Sequence, residues 1–595
     1  MKKINWLLLI AIPLLWAACS RDDVAGAATE TTKELTLAQR TAGNNPYNVH
    51  NMELAYQYLI QQGRLQPGMF PEFHIRPTHK YVKLKPENIE EEDQINADTT
   101  FIALDYPLDV DLPESYFEER GELQEGQIPE YYSSLKINQN IAYSGPTELI
   151  EEMYVPEEDP YFENADEDYQ PGTEQITTRA QLHDELLFTA YFFKGLEHLL
   201  APDMNAAKGT GIDDDKPQKP VLTNADNTLI LDGNNEKRFN DAIIKPLGIG
   251  KKWYPSGNLR YVDNSFPAGQ QNRPLPGAQV LLRQGVTMRQ AITDANGNFS
   301  TSKLRGHARF VIQWERAKYN IKNHKGWQAE QKGPHQRSPW NWTIEPHHNY
   351  QYDLYLALIH VACLDYYYGN RWQLTEPRNN IRVKATNSTP FEDKDSSHVT
   401  IRKVIGSSDI KLCVWQTEHS NIYGTTIHEL AHSAHYQFNR PGYNKLVNDG
   451  HINPWISLGQ THENPGPTAR SARRTLETWA TTVELMFVQR RYGLLNNGNS
   501  NGAQYHAKYR RLMQDYTPAD SPFYTSCGFD LIDNRNQRTS QFPDRPIDRV
   551  SGYTIKQLES SLYGATNWNA WRDNIKNQHT NTTSGNVDEL FDNWN

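Results

Sequence analysis

Gly424-Thr-Thr-Ile-His-Glu-Leu-Ala-His-Ser-Ala-His-Tyr-Gln-Phe438 is the stretch on which the reading of this 595-residue chain turns. Its centre, His428-Glu429-Leu430-Ala431-His432, fits the pattern H-E-x-x-H. On a helix that pattern sets two imidazoles on one face to grip a zinc ion, with a glutamate beside the water that is to be activated. A shuffled chain with the same 20 histidines would show it about once in twenty to thirty trials, so the string needs support from its surroundings. Periodicity gives that support: Ile427, Leu430, Ala431, Ala434 and Phe438 recur as the stripe of a helix packed on a core. His428 and His432 lie off the stripe on a shared edge, about 5–6 Å apart at Cβ, which suits two ligands of one ion. Upstream, Ser408-Asp-Ile-Lys-Leu-Cys-Val-Trp415 reads as a strand leading into the helix.

Catalytic zinc takes three protein groups and keeps a position for water, so a third ligand is required. His435 lies on the same edge but about 10 Å along the axis from His428, too far to share one ion, and reads as a residue beside the site or on the surface. The metzincin pattern H-E-x-x-H-x-x-G-x-x-H also fails, with His435 at its glycine and Phe438 at its last histidine. A second helical stripe, Leu476, Trp479, Ala480, Val483 and Phe487, runs through residues 472–492. Glu477 and Glu484 stand beside it two turns apart, so only one of them can reach the ion.

These residues together resemble the gluzincin metallopeptidases, the thermolysin-like group with two histidines on one helix and a glutamate on a second helix downstream. The match consists of His428, Glu429 and His432, then Glu477 in Glu477-Thr-Trp-Ala480, which is similar to the family's E-x-x-A or E-x-x-S form. It covers about residues 350–500. The resemblance implies Zn2+ bound by His428, His432 and Glu477, with Glu484 as the lesser alternative, in a zincin-like catalytic domain over 345–595. Thr481 stands where the family often places an aspartate that orients a ligand histidine, which leaves that partner unidentified. The chemistry of such a set is peptide hydrolysis, with Glu429 taking a proton from the attacking water and passing it to the leaving amine. An oxyanion donor is also needed, and His451, His462, His506 and Tyr524 are downstream candidates of which none stands out.

The amino terminus, Met1-Lys-Lys-Ile-Asn-Trp-Leu-Leu-Leu-Ile-Ala-Ile-Pro-Leu-Leu-Trp-Ala-Ala-Cys19, has a basic start, a short apolar core and small residues at its end. It reads as a signal peptide over 1–18. Leu15-Trp-Ala-Ala-Cys19 resembles the bacterial lipobox, although Trp16 is unusual there, and implies lipidation of Cys19 and a membrane anchor. Ser20, Asp22 and Asp23 resemble the start of outer-membrane lipoproteins, on the periplasmic or the outer face. No later stretch is apolar enough to span a bilayer. The remaining cysteines, Cys363, Cys413 and Cys527, are too few for a disulfide scaffold. A net charge of −12 argues against nucleic acid as a partner.

The expected fold class is α+β and multidomain. After a lipidated flexible tether over 19–45, an N-terminal α+β domain spans 46–200, with strands at 80–85 and 99–105, a short helix in 86–96 and a helix over 182–200. Residues 201–270 read as linker and irregular segment, and 271–318 as a β-sandwich-like insert. In the insert, Pro274-Leu-Pro-Gly-Ala-Gln-Val280 and Thr293-Asp-Ala-Asn-Gly-Asn-Phe299 look like the carboxypeptidase-regulatory-like sandwich; Asp294 and Asn296 read as turn residues rather than calcium ligands. Residues 350–368 read as a helix backing the catalytic sheet and 381–385 as a strand. The stretches 551–559, 568–577 and 587–594 read as closing helices.

The acidic stretches 87–93 and 151–168 read as solvated faces, with docking on the basic segment 303–337 or attraction of a cationic substrate as the alternatives. Trp327, Trp340 and Trp342 read as core residues before they read as sugar platforms. Two functions stand against each other. One is a zinc peptidase of the cell envelope acting on a peptide or protein substrate; the other is a surface glycan- or protein-binding lipoprotein with a vestigial zincin domain. A zinc hydrolase of another amide or ester is a third. Glu429 favours an enzyme, since a vestigial site has no chemical need for the base.

Overall fold

A computed structural model describes residues 45–108, 112, 114–124, 126–165, 175–200, 251–347, 351–388, 398–399, 409–456, 465–493, 509, 512–513, 516–536, 538–540 and 542–594. The expected leader, Cys19, most of its tether, the first fifty residues of the expected linker, His462 and His506 lie outside them. From Asn44 to Asn595 the chain clusters as one unit, a mixed α+β arrangement with several sheets.

Helix α1 (Val49–Gln61) is capped by Asn48, whose side chain accepts the His50 N–H. Strands β1 (His79–Leu84), β2 (Tyr131–Lys136) and β3 (Thr147–Met153) make an antiparallel sheet in the order β2-β1-β3. Between β1 and β2 lies α2 (Ile89–Ala97), begun by Asn88 and carrying Glu90, Glu91 and Glu92 in its first turn, where the helix dipole favours negative charge. The strand expected at 99–105 does not form. Asp98 accepts both the amide and the hydroxyl of Thr100 and turns the chain, leaving Leu104 to touch the sheet through one bridge to Tyr132. Helix α3 (Arg179–Phe193) starts at a Thr178–Gln181 capping box and stops before Gly195, whose φ of +70° ends it short of the expected 200.

The β unit is larger than 271–318. It comprises β4 (Ser256–Val262), β5 (Asn272–Pro274), β6 (Gln279–Gln284), β7 (Thr287–Ile292), β8 (Asn298–Ser300) and β9 (Ala308–Gln313). After the hairpin β10 (Glu315–Arg316) and β11 (Tyr319–Lys322), the unit resumes with β12 (Glu330–Gln336) and β13 (Trp340–Ile344). One sheet runs β12-β9-β6-β7 and the other β13-β4-β5, with β8 on β4. Residues 256–262 are therefore strand rather than linker: Leu259 and Tyr261 alternate into the core, and the parallel partner that completes them is β13, far along the chain. Asp294 accepts the amides of Asn296 and Asn298, the turn expected there.

The sheet β12-β9-β6-β7 is buried on both faces. Val280, Leu282, Phe310 and Ile312 point into the large core shared with the carboxyl-terminal half, whereas Leu281 and Val311 point into the core built by α1, α3 and the N-terminal segments. The hairpin β10–β11 leaves this sheet and joins another, ordered β10-β11-β14-β16-β15, through β14 (Ile381–Ala385), β15 (His398–Val399) and β16 (Ile410–Leu412). Strands β11, β14 and β16 are parallel, with antiparallel strands at both edges. Helix α4 (Gln351–Tyr367) packs on β11 and on α5 (His419–Phe438), and α5 packs on α6 (Pro467–Tyr492). Ile555–Ser561, Trp568–Gln578 and Val587–Asp592 close the chain, burying Trp568, Trp571, Phe591 and Trp594.

The acidic stretch 87–93 is split: Glu87 and Glu90 are exposed, whereas Glu92 and Asp93 are docked. Glu92 is 1% exposed and accepts from Arg382 Nη1 at 2.8 Å and Tyr131 Oη at 2.7 Å, with Lys322 Nζ at 3.7 Å. Asp93 takes both of its bonds from Arg378 Nη2. Of these partners only Lys322 belongs to the basic segment 303–337; Arg378 and Arg382 lie beyond it. No described helix is long and apolar enough to cross a membrane.

Candidate metal centre

Strand β16 delivers the chain into α5, whose inward stripe of Ile427, Leu430, Ala431 and Ala434 is almost wholly buried. Packing of that stripe against α4 and α6 fixes the rotation of α5, and with it the edge bearing His428 and His432. The two rings stand 4.9 Å apart, nearly perpendicular. From α6, Glu477 enters between them: its Oε2 is 3.2 Å from His428 Nε2 and 3.5 Å from His432 Nε2. One ligand atom from each of the three residues lies within 4.8 Å of the others.

Glu484, the lesser candidate for third ligand, is instead 3.0 Å from the far nitrogen of His428, Nδ1. Its other oxygen accepts the hydroxyl of Tyr509 at 2.7 Å. That arrangement holds a proton on Nδ1 and turns Nε2 toward Glu477, so that a metal displacing the Nε2 proton would meet a ring already oriented as a ligand. Glu484 thus supplies the orienting carboxylate that Thr481 cannot. The signal was present in the sequence as the seven-residue offset from Glu477, but Tyr509 had none.

Charge on His428 is opposed by burial, yet Glu477 and Glu484 outweigh it and hold the ring up at about 10. Burial likewise opposes charge on Glu477, and the two imidazoles still hold its carboxyl well below the usual range. An ionised carboxylate clamped between two imidazoles, one with its tautomer fixed, is a donor set that also suits a divalent cation. Glu429 is buried on the same helix, and its charge bears on His428, Tyr443 and Tyr524.

His435 is neither a surface residue nor part of the cluster. It is fully buried, stacked on Phe438 with the edge of Tyr443 against it, and neither ring nitrogen has a hydrogen-bond partner among the described residues. Burial, with His432 nearby, pushes its pKa down to about 3. Of the two oxyanion candidates among the described residues, Tyr524 has its ring 5.9 Å from that of His428, is 43% exposed, and bonds its hydroxyl to Glu477. His451 comes from a π-helical turn, Asn448–Ile452, with Nε2 4.0 Å from Glu477 Oε1. Cys363, Cys413 and Cys527 are buried thiols.

Comparison of the chain with protein-family models, curated proteins and solved structures gave no match.

Proposed function

We propose that the chain is a zinc-dependent peptidase of the bacterial cell envelope, of gluzincin type, acting on a peptide or protein substrate. The convergence of His428 and His432 on Glu477, with Glu429 buried alongside, is the observation that carries this reading. Two histidines and one carboxylate form the donor set of catalytic rather than structural zinc, which keeps a coordination position for water. When bound, the ion supplies Lewis acidity that polarises water and the scissile carbonyl. Glu429 accepts the proton of the attacking water and returns it to the leaving amine. Glu484 keeps His428 in its ligating tautomer. Tyr524, half-exposed beside the cluster, is placed to donate its hydroxyl to the tetrahedral oxyanion.

The tryptophans of the binding-protein alternative have partners within the chain. Trp327 donates to the Gly121 carbonyl and lies under the Arg120 guanidinium, while Trp340 is buried and stacked on Trp342. These rings are engaged in internal packing.

Anchoring through lipid on Cys19, at the outer membrane, belongs to the same proposal and rests on the leader alone. The functional test is zinc content and peptide-library cleavage by the purified protein beside Glu429→Gln. One zinc per chain and cleavage reduced about 10²–10⁴-fold in the variant, with zinc retained, is expected. Absence of both zinc and cleavage in the parent protein would overturn the reading.

A further inference from the structure

A second cluster of ligating groups stands apart from the histidines. Asp530 ends the short helix Cys527–Asp530, Asp533 follows it, and Asp548 returns at the far end of the intervening loop. One oxygen from each lies within 4.8 Å of the others. The base of the loop is closed by the Gly552 and Tyr553 amides on the Ile532 and Leu531 carbonyls, and by the Asp548 amide on Asn536 Oδ1 at 3.2 Å.

Burial separates this group from an ordinary acidic surface patch. Asp530 is 0% exposed and Asp548 is 3% exposed. On Asp548, Oδ1 accepts the Val550 N–H at 3.0 Å, but Oδ2, equally buried, has no hydrogen-bond partner among the described residues. A buried carboxylate oxygen without a donor, in a carboxyl that faces two others, is costly unless a cation neutralises it.

We propose that Asp530, Asp533 and Asp548 form a calcium-binding site that fastens the loop between Asp533 and Asp548 and steadies the segment leading back to Tyr524. An all-carboxylate set drawn from an irregular loop suits calcium, which takes six to eight oxygens in flexible geometry at about 2.3–2.6 Å. Magnesium demands a near-ideal octahedron and holds its water, and zinc prefers nitrogen and sulfur. The link to Tyr524 is short. Ser526 Oγ donates to Asp530 Oδ2 at 2.8 Å, and Thr525 Oγ1 meets Thr478 Oγ1 of α6 at 2.9 Å, the residue next to Glu477. The calcium site does not depend on the peptidase reading, and its test reads calcium directly.

The experiment is calcium titration calorimetry and thermal unfolding of the purified full chain, stripped with chelator and then given CaCl2, MgCl2 or ZnCl2 separately. Asp548→Asn, which keeps the Oδ1 acceptor for Val550, and Asp533→Asn are run beside it. Calcium is expected to bind at one site and to raise the parent Tm by about 3 °C or more. Asp548→Asn should lose both effects and Asp533→Asn should bind at least about tenfold more weakly, while the response to zinc stays the same in all three proteins. No calcium response in the parent, an equal response to magnesium, or parental calcium affinity in Asp548→Asn would each overturn the proposal. Should Asp548→Asn fail to fold, parental affinity in the half-buried Asp533→Asn overturns it alone.

Discussion

Glu484 decides how His428 can act, because a ring with two available nitrogens becomes a reliable ligand only when one of them is committed elsewhere. Its carboxylate commits Nδ1 and is itself held by Tyr509. Glu484→Gln therefore should weaken metal binding by about 10–100-fold, read by chelator competition, with the far-UV spectrum unchanged. Undiminished affinity would remove Glu484 from the site. On the proposed reading Tyr524, whose hydroxyl bonds to Glu477, acts in the reaction. Tyr524→Phe should lower kcat about 10²-fold with KM little altered and zinc retained; a matching loss of zinc would show a positioning role instead. At this scale spacing alone left Glu477 and Glu484 open, and only the resemblance to the gluzincins put Glu477 first. They share one face of α6, and which of them meets Nε2 depends on where α6 crosses α5, a tertiary fact that no spacing within one helix encodes.

That crossing is made close by Gly424 on α5, where an added Cβ would collide with the Tyr509 hydroxyl and press on Glu484 Oε1. Gly424→Ala should thus cost about 1–3 kcal/mol of stability and also weaken the metal site, a pairing of effects that a remote core substitution would not give. Thermal unfolding and chelator competition on the one variant check both. Long helices were legible because α5 and α6 each repeat an apolar stripe over several turns and α4 is an apolar run too long for a strand, and 381–385 was legible because its residues alternate. The short strands were not. Strands β5 and β8 have three residues each, too few for a period, and β4 pairs in parallel with β13 from far along the chain. The strand expected at 99–105 had the right composition, but Asp98 offered the backbone a turn instead.

Across the whole molecule, the two-faced sheet β12-β9-β6-β7 ties the N-terminal half to the half bearing the histidines, and acids of opposite habit, Glu92 buried and Glu315 and Glu330 half-buried, line the seam between them. Glu92 is opposed by burial, but Lys322 and Arg382 hold its carboxyl below the ordinary 4.5. Its contribution to stability is present above pH 4.5 and is lost as the pH falls through the lower folded value. Glu92→Gln should accordingly cost about 3–5 kcal/mol at neutral pH, since it strands two buried cations, and cost less in acid. Glu315 and Glu330 behave in the other sense. Burial raises both to about 7, only partly offset by Lys322 and Gln328 for the first and by Tyr106 and Arg283 for the second. Below pH 4.5 folded and unfolded chains are both protonated at these positions and nothing differs. Between 4.5 and 7 only the unfolded chain ionises, so stability declines as the pH rises, and above 7 the full penalty persists. Replacing both by glutamine keeps acceptors for Gln328 and Tyr106 while removing the titration. The double variant should match the parent Tm near pH 4.5 and exceed it by roughly 2 °C or more at pH 8. Parallel Tm curves for the two proteins across that interval would show that the seam ionises freely, and that its acids are solvated rather than sealed between the halves.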